Sequence, residues 1–299
     1  MMSKQQWTIC LTLVLLVLGV VFRPSGRNTA MTEDTFFANK LVQHNKFDMI
    51  LAGDSRTTLG VAPAEMAEQL PEVKIFNFGF LGVSLSGDYL RRITSLLLQD
   101  TSETRMIVLG ISPPALTPMA ARANTYLEWE GKNHATVLQH AYLGEWLTYF
   151  QPYDLSLGRG VEFKQHFYAD GWQATTLIPA DENREVVAGK IHFANTQVSA
   201  EMIEALLNTV RVWTAQGIRV YGFRPPVSPA LYNLENNISG FQEDSFRQQF
   251  AEAGGHWLHT ENKYPTYDGS HLNETSARQF SHDLAADIQR DLSAASKRQ

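Results

Sequence analysis

The sequence predicts an α/β fold: a three-layer α/β/α sandwich built on a mostly parallel sheet and preceded by one N-terminal transmembrane helix. Three observations carry this. Short apolar runs of strand length recur along the 299 residues, and most of them end at glycine or proline. Stretches with helical apolar spacing separate them, and strands alternating with helices imply parallel pairing with both sheet faces covered. Ahead of all these, residues 7–22 (WTICLTLVLLVLGVVF) carry no charge.

That first run sets the compartment. At about 1.5 Å per residue it makes a helix of roughly 24 Å, slightly short of the ~30 Å hydrocarbon core. Flanking Gln and Arg side chains can make up the difference by snorkelling. The following Arg23-Pro24-Ser25-Gly26-Arg27 offers no small-residue cleavage site. An uncleaved signal anchor over residues 1–27 is therefore preferred to a cleaved signal peptide. Lys4 and the amino terminus nearly balance Arg23 and Arg27, so positive-inside counting gives little orientation. On either reading, the body (residues 28–299) is delivered outside the cytoplasmic membrane.

Within the body, residues 48–52 form an apolar run closed by Gly53, and 74–78 one closed by Gly79. Residues 105–109 end at Gly110, 218–223 stop before Pro225-Pro226, and 256–259 come last. Helical periodicity covers 85–99, 199–216, 242–253 and 273–292. Residues 115–198 interrupt the alternation and are read as an insertion. They hold Trp129, Trp146 and Trp172 with Tyr126, Tyr142, Tyr149, Tyr153 and Tyr168. These rings suit either a cap that stacks on sugar faces or the insertion's own core, and core packing is the commoner use.

Composition excludes several classes of function. Lys plus Arg number 25 against 31 Asp plus Glu, a net charge of −6 with no long basic run, so nucleic acid is not an expected partner. Cys10 is the single cysteine, which rules out intrachain disulfides and thiolate-rich zinc sites. His256 and His259 are misspaced for one strand face and lack a carboxylate cluster, so no metal is expected. No phosphate-cradling loop is present, so no nucleotide cofactor is expected either.

In parallel sheets ligands bind beyond the carboxyl ends of the strands, and the chemically suggestive motifs fall there. Gly53-Asp54-Ser55 follows the first strand on a turn that opens a helix. A serine becomes a nucleophile only when a base takes its proton and donors meet the oxyanion. The base is supplied late in the chain. Asp268-Gly269-Ser270-His271 places a carboxylate three residues before an imidazole, between the last strand and the last helix. Asp268 can then hold one ring nitrogen while the other faces Ser55. Without the serine motif the same turn reads as a helix cap. Arg224, just past the fourth strand, suits either a substrate anion or a loop salt bridge.

Together, Gly53-Asp54-Ser55 and Asp268-x-x-His271 resemble the first and last motif blocks of the SGNH/GDSL hydrolase superfamily, across roughly residues 48–292. The resemblance implies a flavodoxin-like sheet and a triad of Ser55 as nucleophile, His271 as base and Asp268 as its orienter. It also implies a backbone oxyanion donor within residues 77–82, for which Gly82 is preferred over Gly79. The family's third donor is the Asn of a Gly-x-Asn block, where this chain has Gly110-Ile111-Ser112. Ser112 is left as a weaker substitute, and a lost donor can cost about 10²–10³ in rate.

The anchor, the Gly-Ile-Ser-Pro block, the 224–229 loop and the Asp-Gly-Ser-His-Leu ending resemble a narrower group, the membrane-anchored SGNH-like proteins of envelope polymer acylation. These are relatives of the teichoic-acid D-alanine transfer and alginate O-acetylation proteins. That likeness implies an esterase or O-acyltransferase acting on envelope polysaccharide through an acyl-enzyme. A multi-span membrane acyltransferase is the implied partner. The rival reading is a catalytically weak relative that binds a glycan or that partner.

Overall fold

The computed structural model describes residues 3–21, 31–97, 105–148, 162–259 and 263–296, without the side chains of 16–21, 145–148, 162 and 295–296. Tyr149, Tyr153 and the Trp146 side chain therefore lie outside the described residues, as do the 27/28 boundary, residue 22 of the apolar run and residues 98–99 of the expected helix 85–99. The chain divides into two units, Met1–Ala30 and Met31–Gln299.

The first unit contributes α1 (Lys4–Val21). Its first three residues are polar, which leaves an apolar stretch of roughly 22 Å at 1.5 Å per residue. Among the described residues no helix is long and apolar enough to cross a membrane. The transmembrane expectation for residues 7–22 therefore finds no support in the helix as it forms. Leu11, Leu13 and Leu15 on α1 are exposed.

The second unit runs α2 (Glu33–Leu41), β1 (Met49–Gly53), α3 (Ser55–Gly60), α4 (Pro63–Ala67), β2 (Ile75–Asn77), α5 (Gly87–Thr94) and β3 (Met106–Gly110). A short 3₁₀ turn leads to α6 (Pro118–Arg122), α7 (Thr125–Glu130) and α8 (His134–Thr148). Next come β4 (Glu162–Phe167), β5 (Gln173–Ile178), α9 (Arg184–Asn195), α10 (Ala200–Ala215) and β6 (Arg219–Phe223). The chain closes with α11 (Pro229–Ile238), α12 (Glu243–Glu252), β7 (His256–Trp257) and α13 (Glu274–Ser296).

The result is a mixed α/β unit around a five-stranded sheet of order β2-β1-β3-β6-β7, in which every pairing is parallel. β4 and β5 pair separately as an antiparallel hairpin. β1 and β3 are buried along their whole length, which is why they read as continuous apolar runs rather than alternating ones. Ile50, Ala52, Ile107, Leu109 and Val220 pack with Phe36 of α2, Tyr89 of α5, Val210 of α10 and Phe250 of α12. Met49, Leu51, Met106, Val108 and Tyr221 pack in a second cluster with Met66 of α4 and Ala277, Leu284 and Ile288 of α13. Alternate residues of each strand thus serve two cores, and the register brings the carboxyl ends of β1, β3 and β6 to one edge.

Most of the described aromatic residues of 115–198 pack into these same cores. Tyr126 and Trp129 join the first cluster. Trp172 joins the second, with its ring N–H donating to the Leu59 carbonyl at 2.9 Å and Tyr168 stacked on it. These residues belong to the two cores of the sheet rather than to a separate core of the insertion. Tyr142 remains exposed.

Candidate functional site

β1 delivers the chain to the sheet edge at Gly53, where no side chain fits. A Cβ there would lie 2.8 Å from the Gly110 carbonyl of β3 and closer still to the Thr57 hydroxyl. Asp54 then caps α3, its Oδ1 accepting the Arg56 N–H at 3.1 Å, and Ser55 becomes the first residue of the helix. The second arm comes from the turn before α13. Asp268 Oδ1 accepts the backbone N–H groups of Ser270 (2.9 Å) and His271 (2.8 Å), which fixes that turn as a closed loop. Gly269, between Asp268 and Ser270, has φ +92°, and a Cβ on it would run into the Glu182 carbonyl.

Residues 216 positions apart meet here. Ser55 Oγ lies 2.8 Å from His271 Nε2, and His271 Nδ1 lies 2.7 Å from Asp268 Oδ2. With the Nδ1 proton held by the carboxylate, Nε2 is the basic nitrogen facing the hydroxyl. Burial by itself would raise the Asp268 carboxyl, but the His271 ring and the backbone N–H groups of His271 and Ser270 outweigh it and hold its pKa below the ordinary value. Tyr267 lies nearly parallel to the imidazole, with ring centres 5.9 Å apart. Asp268 is buried and Ser55 half-buried, so the chain of hydrogen bonds leads from the interior to an approachable hydroxyl. Such an arrangement can take a proton from Ser55 and return it.

The other residues expected at the site are placed differently from one another. The N–H of Gly79 donates to Asn77 Oδ1 at 2.9 Å, and its carbonyl accepts from Lys40 Nζ at 2.6 Å. Gly79 is thus engaged on both sides and has no N–H to spare. Gly82 is exposed, and among the described residues no acceptor engages its N–H. The preceding Leu81 packs on the Leu59–Leu177–Tyr267 cluster, which sets this loop beside the Asp268–His271 turn.

Ser112 is fully buried, and its hydroxyl donates in a short contact to Asp54 Oδ2. Its single proton is therefore committed to holding the serine turn, which corrects the expectation that it points at an oxyanion. Arg224 is likewise engaged, with its NH2 group 2.7 Å from Glu235 Oε2 and NH1 3.0 Å from Glu243 Oε2. It is the loop salt bridge of the two readings. It also lines a cavity of about 570 Å³ with Tyr232, Glu243, Trp257 and Thr266, which neither Ser55 nor His271 lines.

Sequence reasoning missed the residues that hold these together. Arg56, directly after the serine, is buried and reaches both Ser270 and Glu235. Glu235 is fully buried, and although burial alone would raise its carboxyl, the charges of Arg56 and Arg224 hold it below its ordinary value. The available signal was an arginine directly after the serine on the turn that opens a helix, but nothing local names its partner. Asn77 was also missed. Its side chain donates to the Thr57 and Val61 carbonyls at 2.8 and 2.7 Å and so staples the end of α3 to β2.

Set against models of known families and against curated proteins, the chain matches none.

Proposed function

We propose that this protein is an SGNH-type serine esterase or O-acyltransferase that acts on cell-envelope or extracellular polysaccharide. The observation that carries the reading is the hydrogen-bonded series Ser55–His271–Asp268, with contacts of 2.8 and 2.7 Å. At the level of fold, the strand order and the two cores are what a three-layer, flavodoxin-like sandwich requires.

In this mechanism Ser55 Oγ attacks the carbonyl carbon of an acyl ester while His271 Nε2 takes the hydroxyl proton. The oxyanion forms against the backbone N–H groups of Ser55 and Gly82. Collapse breaks the ester C–O bond, and the departing alkoxide carries away the proton from His271. Water or a sugar hydroxyl then gives its proton to His271 and attacks the acyl-enzyme, which returns Ser55 protonated. Asp268 keeps Nε2 facing the serine and steadies the transient imidazolium.

Residues 7–22 are proposed to hold the protein to the cytoplasmic membrane with the body on the extracytoplasmic side. A multi-span membrane acyltransferase is the proposed partner. The exposed apolar side chains of α1 support attachment. Full-length protein should sediment with membranes after a carbonate wash, and its recovery as a soluble form starting near residue 27 or 31 would replace the anchor with a cleaved signal.

A second reading, a binding protein with little or no turnover, draws on the commitment of Ser112 to Asp54 and of Gly79 to Asn77, which leaves two backbone donors for the oxyanion. One experiment decides between them. Full-length protein in detergent should react with a fluorophosphonate probe and hydrolyse an acetyl ester, and Ser55→Ala should do neither. Wild-type inertness in both assays, and with an O-acetylated polysaccharide, would leave only the binding reading.

A further inference from the structure

We propose that Arg56 is a positioning residue that locks the His271 turn to the serine-bearing helix. The proposal rests on the triad reading of Ser55, His271 and Asp268 but makes its own claim about geometry. Arg56 follows Ser55 on α3, and its side chain is about nine-tenths buried. Its Nε donates to Ser270 Oγ at 2.9 Å, while NH2 and NH1 reach Glu235 Oε1 and Oε2 at 2.5 and 3.3 Å. Ser270 is the residue between Gly269 and His271, inside the loop that Asp268 closes with its own carboxylate. One side chain thus spans the two arms that must meet, nucleophile on one side and base on the other.

Only a guanidinium serves this geometry. It presents donors in three directions from one rigid plane, so it can hold Glu235 and still aim Nε at Ser270, whereas an ammonium on a flexible stem cannot fix both. Glu235 is itself held from behind by Arg224, which also pairs with Glu243. The fork therefore rests on a buried frame, α11 and α12, and the α11 N-cap Ser228 also donates its backbone N–H to the Gly269 carbonyl of the His271 turn at 2.8 Å. Without the fork, Ser270 loses its donor and the imidazole loses a constraint on its distance from Ser55. Misplacement of a reacting group by about 1 Å can cost roughly 10²-fold.

A purely structural ion pair behaves differently, since a buried pair can be replaced by apolar residues without loss of folding. Ser270→Ala is the discriminating variant, because it removes the acceptor and leaves the Arg56–Glu235 pair intact. Arg56→Lys keeps the charge and loses the fork. On an acetyl ester, each should lower kcat about 10- to 100-fold with KM within about twofold. The double variant should be no worse than either single one, because both delete the same contact.

The second readout needs no turnover. The His271 Nδ1 proton, held by Asp268, should give a downfield proton resonance in wild type. That resonance should broaden in both variants, whereas a role confined to stability would lower the unfolding midpoint and leave the resonance unchanged. Wild-type kcat with an unchanged resonance in Ser270→Ala overturns the proposal. So do losses that multiply in the double variant, or a missing resonance in wild type. If the protein has no esterase activity at all, the triad reading fails on its own, and the resonance in Ser270→Ala against wild type still decides whether Arg56 positions the turn.

Discussion

Ser55, His271 and Asp268 form a series with one open end, whereas Arg56, Glu235, Arg224 and Glu243 form one in which both arginines are gripped by carboxylates. Both are buried at the same sheet edge, and they meet at Ser270. In the first, the terminal hydroxyl is half-buried and its partner is an imidazole nitrogen that can take its proton and return it. In the second, two guanidiniums are matched by two carboxylates, and the central carboxylate is wholly enclosed. An open proton path and a closed ionic frame are opposite solutions to burying polar groups. The first gives up saturation for reactivity, and the second gives up reactivity for rigidity.

The largest effect that separates them is on rate. Ser55→Ala should lower acetyl ester turnover by about 10⁴–10⁶, the scale on which a triad nucleophile matters. Its unfolding free energy should stay within about 0.5 kcal/mol of wild type, since no fold-holding contact depends on the hydroxyl. Glu235→Ala should do the reverse. It strips Arg56 of its carboxylate and leaves Arg224 only Glu243, so denaturant unfolding should show a loss of about 3–5 kcal/mol. If Glu235→Ala is stable, or Ser55→Ala is not, the division between the two clusters fails.

Ser112→Ala sharpens the boundary. As an oxyanion donor, Ser112 would be worth about 10²–10³ in rate. As the buried donor to Asp54, its removal should leave Oδ2 unsatisfied at a cost of about 1–3 kcal/mol in stability, with turnover within a few-fold of wild type. A large loss of rate at unchanged unfolding midpoint would restore the oxyanion role.

The same contrast explains what the sequence made legible. Gly53-Asp54-Ser55 and Asp268-x-x-His271 are local patterns, each at a strand end, and a parallel sheet gathers strand ends on one edge, so their meeting could be expected without knowing any distance. The apolar runs at 48–52, 74–78, 105–109 and 218–223 held for a related reason: a strand buried on both faces has no alternation to misread. The run at 256–259 shrinks to the two residues His256–Trp257. The frame was illegible because Arg56 and Glu235 are 179 residues apart and a charged side chain does not announce its partner. α11 was overlooked although Ser228-Pro229 is an N-cap followed by proline at the first helical position, a start signal obscured by the prolines around it. Ser112 misled because its place after β3 was right, but the direction of its hydroxyl is a tertiary fact.

Lys40 belongs to neither cluster and tests the comparison at its smallest scale. Its Nζ is fully buried and donates to the Gly79 carbonyl at 2.6 Å, with the Phe36 and Phe80 rings 4.5 and 5.4 Å away. Among the described residues no carboxylate lies within ion-pair distance of it. Burial therefore holds its pKa well below the ordinary lysine value, with the charge of Asp170 opposing. The sign of the consequence follows from the protons bound. The unfolded chain keeps the Lys40 proton up to about pH 10.4, whereas the native state releases it at lower pH. Across that window the unfolded state binds more protons, so stability rises with pH. Lys40→Met keeps an unbranched side chain of similar reach and removes the titration. In denaturant unfolding between pH 7 and 10, the stability of wild type relative to Lys40→Met should be greater at the alkaline end of the range than at the neutral end. A gap that stays constant over that range would mean that Lys40 remains protonated in the fold, and that a buried cation here is tolerated without a carboxylate partner or a change of charge.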